Sequence, residues 1–366
     1  MVLLPLLACQ NQKSKTIVKQ AAYSFYLGTY TDTESKGIYK LEMNESGHLK
    51  MIGLVAESEN PSFLTFANNG KTLLAVNEVN TVNGMGTVES YMIEDGLKLV
   101  SRKPSGGAHP CFVTANKDGF VLTANYSGGN IGLLKLGEDG KLSELLDKQQ
   151  HSGSGTNSKR QEKPHAHSVW FQPGSDQIIA VDLGTNELWL SKINSSSKKF
   201  IIEENNRIAM VDGAGPRHLA FHPNGKYLYV INELDNTITT LMLSRDEQFK
   251  LVGNVSSLPE DFEGNSFTAD IHISLDGKFL YGSNRGHNSI AIFEILEHGK
   301  LNCIDHVSTR GDHPRNFSLS PDEKFLVVAN QNTNNIVCFE RDKTTGLLRF
   351  VDEIEAPKPV CVLFHE

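Results

Sequence analysis

Cysteine is scarce in this chain, with five in 366 residues, no CxxC spacing and no secreted disulfide framework. Four of the five (Cys111, Cys303, Cys338, Cys361) fall within strand-like patterns, where a small buried hydrophobe is expected. No run of Lys or Arg marks a face for an anionic membrane, and a formal charge of −8 argues against nucleic acid as a partner. Any anion-binding site must therefore be local. The sequence also lacks a Gly-x-Ser-x-Gly elbow, a P-loop and a dinucleotide fingerprint behind a strand.

What the chain does have is repetition. Six times a small or Pro-containing opening leads through an apolar strand, a Gly or Asp turn and a second apolar strand to an Asn or Asp. The copies open at Pro61, Pro110, His165, Pro216, Ala269 and Pro314 and close at Asn77, Asn125, Asp182, Asn232, Asn284 and Asn330. The closing residue recurs after 48, 57, 50, 52 and 46 residues. A period near ~45 residues built of short strands marks a propeller blade. Alternation with period two, as in Tyr227-Leu228-Tyr229-Val230-Ile231, excludes helical repeats. A seventh copy begins at Lys358 and stops at the C-terminus; its missing strands are found in Tyr26–Tyr30, Gly37–Leu41 and 49–55. The fold expected is all-β: a seven-bladed propeller of four-stranded antiparallel blades, closed by N- and C-terminal strands sharing one blade. One domain, 21–366, follows a leader, 1–20.

In such a blade the start of the first strand and the end of the second lie at one mouth of the ring. The recurring Asn is expected to serve a common turn there. More informative is what varies between blades. Glu78, Tyr126, Glu233 and Arg285 follow the Asn; His109, His165, His167, Arg217, His218, His272, His313 and Arg315 stand at the strand starts. Cations and imidazoles gathered this way suit an anionic ligand. In His165-Ala166-His167 the i, i+2 spacing sends both rings to the same face. Three readings are open: a metal pair completed by Glu233 or Asp182, a general base with its orienting partner, or two hydrogen-bonded channel histidines. No further cluster has metal spacing. The polar segment 152–161 reads as a binding loop or lid at the mouth.

Tyr26-Leu27-Gly28-Thr29-Tyr30-Thr31, Arg160-Gln161 with Pro164-His165-Ala166-His167-Ser168, and Asp182-Leu183-Gly184 resemble the seven-bladed 6-phosphogluconolactonases. So do Gly215-Pro216-Arg217-His218-Leu219, Asn232-Glu233-Leu234 and Leu280-Tyr281-Gly282-Ser283-Asn284-Arg285-Gly286. That family is similar in turn to the fungal carboxymuconate lactonising enzymes. The resemblance implies lactone opening without metal or organic cofactor, 6-phospho-D-glucono-1,5-lactone of the pentose phosphate pathway being the leading substrate. It places the catalytic set on the His165/His167 pair, Arg217, Glu233 and Arg285. One Arg would stabilise the oxyanion, one His would take the proton from water, and Glu233 would orient that His or act as the base itself. Tyr126, Arg160, Asp182, His218 and Arg315 are the expected substrate contacts. The alternatives are a muconate-type cycloisomerase and a non-catalytic binding propeller.

Leu6-Leu7-Ala8-Cys9 resembles the processing box of a bacterial lipoprotein signal, with 10–19 as a polar tether. The apolar stretch is too short for a transmembrane helix and lacks a basic n-region. A lipid at Cys9 would place the protein outside the inner membrane, facing the periplasm; otherwise the leader belongs to a cytoplasmic protein. A monomer or weak dimer is expected.

Overall fold

The computed structural model describes residues 22–202, 206–244 and 248–365. The expected leader, with Cys9, lies outside them. Seven antiparallel sheets of four strands follow one another along the chain, the third carrying a short extra strand, Arg207–Ala209. We number the blades 1 to 6 from Leu64 onward; blade 7 joins the two ends of the chain. In blade 7 the C-terminal strand Pro359–Phe364 pairs with Tyr23–Thr29, which pairs with Gly37–Met43 and then Leu49–Glu57. The first strand of each blade touches that of the next, and Pro359–Phe364 touches Leu64–Ala67 to complete the circle. The single helical turn among the described residues is Glu297–Gly299.

Burial falls off with radius. The second strands of blades 2, 5 and 6 (Phe120–Asn125, Phe279–Arg285, Phe325–Asn330) are buried at every residue. Outer strands such as Leu301–Ser308 and Leu348–Glu355 are largely open to solvent. Cys303 sits on one of these and is exposed, against the expectation of a buried hydrophobe; Cys111, Cys338 and Cys361 are buried. The core lies between blades, and the period-two alternation divides it. In Phe120–Asn125, Leu122 and Ala124 pack forward on Val169, Ile178 and Ala180 of blade 3. Val121 packs backward on Leu74, Val76 and Val88 of blade 1. Each such Val, Leu or Ile side chain contributes roughly 1.5–3 kcal/mol by leaving water, and each blade makes these contacts with both of its neighbours.

The recurring Asn does more than hold a turn. In four copies its side-chain amide reaches the carbonyl just beyond the outer strand of the preceding blade. The bonds are Asn77 to Glu59 (2.8 Å), Asn125 to Ser105 (3.2 Å), Asn284 to Ser257 (2.8 Å) and Asn330 to Thr309 (2.9 Å). The side-chain-to-backbone bonding expected of the motif is present, but it staples blade to blade.

A second repeated device aims the site. In blade 2, Pro110 pairs with Asn125 and Phe112 with Ala124, so Cys111 faces no partner. The same bulge frees His167 in blade 3, Arg217 in blade 4 and Arg315 in blade 6. In blade 5 it frees both Ala269 and Asp270. A bulge leaves the extra residue out of the ladder and re-aims its side chain. Here it does so at one mouth of the channel, in successive blades.

Candidate active site

Three of the bulge residues, Cys111, His167 and Arg315, meet Glu78, Tyr126, Glu233 and Arg285, which follow four of the recurring Asn residues, in a cavity of about 350 Å³. Glu233 organises it. Its Oε2 lies 2.8 Å from Arg285 Nη2 and 3.2 Å from Arg217 Nε, and its Oε1 accepts from Arg160 Nη2 at 2.6 Å. Arg160 arrives on the 152–161 loop and also donates to Tyr126 Oη at 3.1 Å. The loop is anchored one residue later by the fully buried Gln161, whose amide reaches Leu183 O and Asn186 Oδ1. The expected binding loop thus delivers a guanidinium from a fixed base. On the opposite wall Arg315 lies over the Tyr30 ring and 4.0 Å from Glu78, which accepts from Tyr30 Oη at 2.8 Å.

Four guanidiniums therefore face two carboxylates, and the electrostatics follow. Burial alone would raise the proton affinity of Glu233, but Arg285, Arg217 and Arg160 outweigh it and hold the carboxylate well below the usual range. Glu233 is thereby a poor base and a strong clamp. Burial, with Arg285 and Arg315 adding to it, lowers Arg217 to about 10, which leaves it cationic at neutral pH. His167 is pushed well below the ordinary imidazole value, first by burial and then by Arg217, His218 and Arg315. His313, a further wall residue, falls to about 4, from burial and then Arg285 and Arg315. Both rings are neutral at neutral pH, so the free base is available. His167 Nδ1 lies 3.8 Å from Cys111 Sγ, whose thiol burial keeps protonated.

With this geometry the chain matches the family model described as lactonase, seven-bladed β-propeller, over residues 24–364. It is 39% identical to a 6-phosphogluconolactonase of Bacillus subtilis (strain 168) across 93% of this chain and 98% of that protein. The chain belongs to the seven-bladed β-propeller lactonase family. A 6-phosphogluconolactonase of Formosa agariphila is 36% identical over 88% of this chain and 94% of its own length. The structure of a periplasmic gluconolactonase from Pseudomonas aeruginosa superimposes with a TM-score of 0.88 at 29% identity, covering 94% of this chain and 99% of that one.

Within this lactonase propeller the sequence-derived residues separate into two groups. His167, Glu233, Arg285, Tyr126, Arg160 and Arg315 line the cavity, with Arg217 against its floor. His165, Asp182 and His218 lie behind it. The bulge between Ala166 and Ser168 breaks the i, i+2 relation, so the two histidines part. His165 stacks on Tyr126, and its ring nitrogens face Tyr126 O and Glu162 Oε1, each at 3.2 Å. Both nitrogens face protein oxygens, and His165 is not among the residues that line the cavity. Asp182 is fully buried, accepting from the His165 and Thr185 amides and lying 2.7 Å from His151 Nδ1. Among the described residues no group of three His, Cys, Asp or Glu has metal-binding geometry, which leaves the metal-pair reading without a third ligand. Sequence reasoning missed Cys111 and Phe267 as wall residues. Cys111 could have been found by its place beside Pro110, equivalent to Arg217 beside Pro216.

Proposed function

We propose that this chain opens sugar lactones by hydrolysis, with an anionic aldonolactone as substrate and 6-phospho-D-glucono-1,5-lactone as the leading one. The observation that carries this reading is the neutral, buried His167 surrounded by an excess of guanidinium charge in one cavity. Water attacks the lactone carbonyl carbon as His167 takes its proton, and negative charge gathers on the carbonyl oxygen. Arg285 and Arg217 offset that charge, an effect worth roughly 3–4 kcal/mol for one preorganised donor. The ring C–O bond then breaks, and the imidazolium returns its proton to the departing alkoxide. Glu233 keeps the cations together between turnovers. Arg315 and Arg160 take the substrate's remote anion, where guanidinium geometry favours bidentate contact. An anionic substrate also counters the charges that depress His167, so the base strengthens when substrate is present.

The names of the relatives support both phosphorylated and unphosphorylated substrates. Rates on 6-phosphogluconolactone and on D-glucono-1,5-lactone, each corrected for spontaneous opening, separate the two. A preference for the phosphate ester supports the pentose phosphate assignment; turnover of neither lactone overturns the reading. We further propose that 1–20 is a lipoprotein leader with the lipid on Cys9, placing the 21–366 propeller, as a monomer or weak dimer, on the periplasmic side of the inner membrane, where the substrate would be another sugar lactone in place of the phosphorylated one made in the cytoplasm. Cys9→Ser should then move the protein from the membrane to the soluble fraction. A wild-type protein already in the cytosolic fraction would refute the anchor.

A further inference from the structure

Beneath the cavity floor lies a polar cluster that the reaction scheme above does not use. Asp270, freed by the blade 5 bulge, is buried with Oδ1 2.8 Å from His218 Nδ1. Its Oδ2 lies 3.1 Å from His272 Nε2 and accepts from Asn316 Nδ2 at 2.5 Å. His218 is buried too, boxed by Phe63, Phe112 and Trp170. The other ring nitrogen, Nε2, lies 3.4 Å from Arg217 Nη1. Its ring also meets that of His167 edge to face, with centroids 5.3 Å apart.

These contacts determine where the proton on His218 must be. Asp270 can only accept, so Nδ1 carries the hydrogen; Arg217 can only donate, so Nε2 presents its lone pair. Burial and Arg217 lower His218 to about 4 against the pull of Asp270, which keeps the ring neutral and that tautomer in place. Arg217 Nη1 is then held by His218 and by Ala269 O, while Nε faces Glu233. Nη2 takes part in none of these bonds and is the nitrogen left for the ligand.

We propose that Asp270 and His218 form a positioning pair for lactone opening, fixing the guanidinium of Arg217 and bracing the ring of His167 from below. The role rests on the hydrolytic reading given above. His218 therefore serves the substrate through Arg217 and His167, in place of the direct contact expected from the sequence. Asp270→Asn presents an amide that can donate to Nδ1, moving the hydrogen to Nε2 and turning it against Arg217, as happens when the Asp of a catalytic triad becomes Asn.

The test compares wild type with Asp270→Asn, His218→Phe and His218→Gln, measuring kcat and KM for the preferred lactone together with thermal midpoints. Phe fills the apolar box but loses both polar contacts; Gln keeps one donor and one acceptor. We expect kcat to fall about tenfold or more in Asp270→Asn and His218→Phe with KM within about threefold, and Gln to recover most of the loss. A downfield Nδ1 proton resonance present in wild type and absent from His218→Phe and His218→Gln is expected alongside. If His218→Phe keeps its kcat within twofold in an active, folded enzyme, the pair has no positioning role. An equal loss in Phe and Gln variants, tracking thermal midpoint alone, would also overturn it, as a merely structural effect. A wild type with no lactone turnover would remove the hydrolytic reading and this role with it.

Discussion

Replacing Glu233 by Gln should destabilise the propeller and at the same time make it a better anion binder. The carboxylate is the shared partner of Arg285 at 2.8 Å, Arg217 at 3.2 Å and Arg160 at 2.6 Å, and the first two are as buried as Glu233 itself. Removing one member of a buried ion pair costs about 3–5 kcal/mol, because the partner's charge is left uncompensated. Here Arg160 is partly solvated and the cavity is open to water, so the lower end, about 3 kcal/mol, is the expected loss. For a chain of this size that is a fall in Tm of roughly 4 °C. The pH dependence carries a sign. Glu233 is more acidic when folded than unfolded, so its stabilisation is complete above the ordinary carboxylate range and declines as pH falls through and below that range. The gap in Tm between wild type and Glu233→Gln should be constant from about pH 6 to 8 and shrink below about pH 4. Inorganic phosphate should raise the Tm of the variant more than that of wild type, since the anion supplies the missing charge. Scanning calorimetry over pH and phosphate concentration provides the assay. A variant as stable as wild type at neutral pH, with no extra response to phosphate, would refute the clamp role.

Arg285→Ala should lower kcat/KM by about 2–4 kcal/mol, roughly 30- to 1000-fold, through lost contact with the oxyanion or the substrate anion. Steady-state kinetics with spontaneous hydrolysis subtracted would register it, and a loss under threefold would place the charge elsewhere. Deleting 358–366 removes the strand paired with Tyr23–Thr29 and opens blade 7. The truncated protein should aggregate or melt at least several degrees lower, and an unchanged midpoint in a monomeric sample would contradict ring closure by that strand.

Much of this architecture was legible in the sequence because it is repeated. Seven copies of one pattern gave the blade count, and the stranded copy at Lys358 gave the shared closing blade. The residues after four of the five recurring Asn were also legible: Glu78, Tyr126, Glu233 and Arg285 all line the cavity. The bulge was not, since it needs one extra residue in a ladder whose register only pairing reveals. Without it, period two places His165 and His167 side by side; with it, His167 enters the cavity and His165 turns under Tyr126. Asp270 escaped notice for the same reason, standing in an Ala-Asp-Ile-His opening without the proline that marks Cys111, Arg217 and Arg315. The blade-to-blade reach of Asn77, Asn125, Asn284 and Asn330 depends on neighbours about 20 residues upstream and is invisible to local turn rules.

The most direct measurement is the pH–rate profile of lactone hydrolysis by wild type and His167→Gln. With His167 depressed by burial and by the surrounding arginines, wild-type kcat/KM should stay level as pH falls through the ordinary imidazole range and decline only below it. Bound anion raises the base, so the limb in kcat should lie at higher pH than the limb in kcat/KM. His167→Gln should lose roughly 10²- to 10⁴-fold in kcat and the acidic limb with it. A variant within about tenfold of wild type, with the limb intact, would show that the proton goes to another group and would contradict the account.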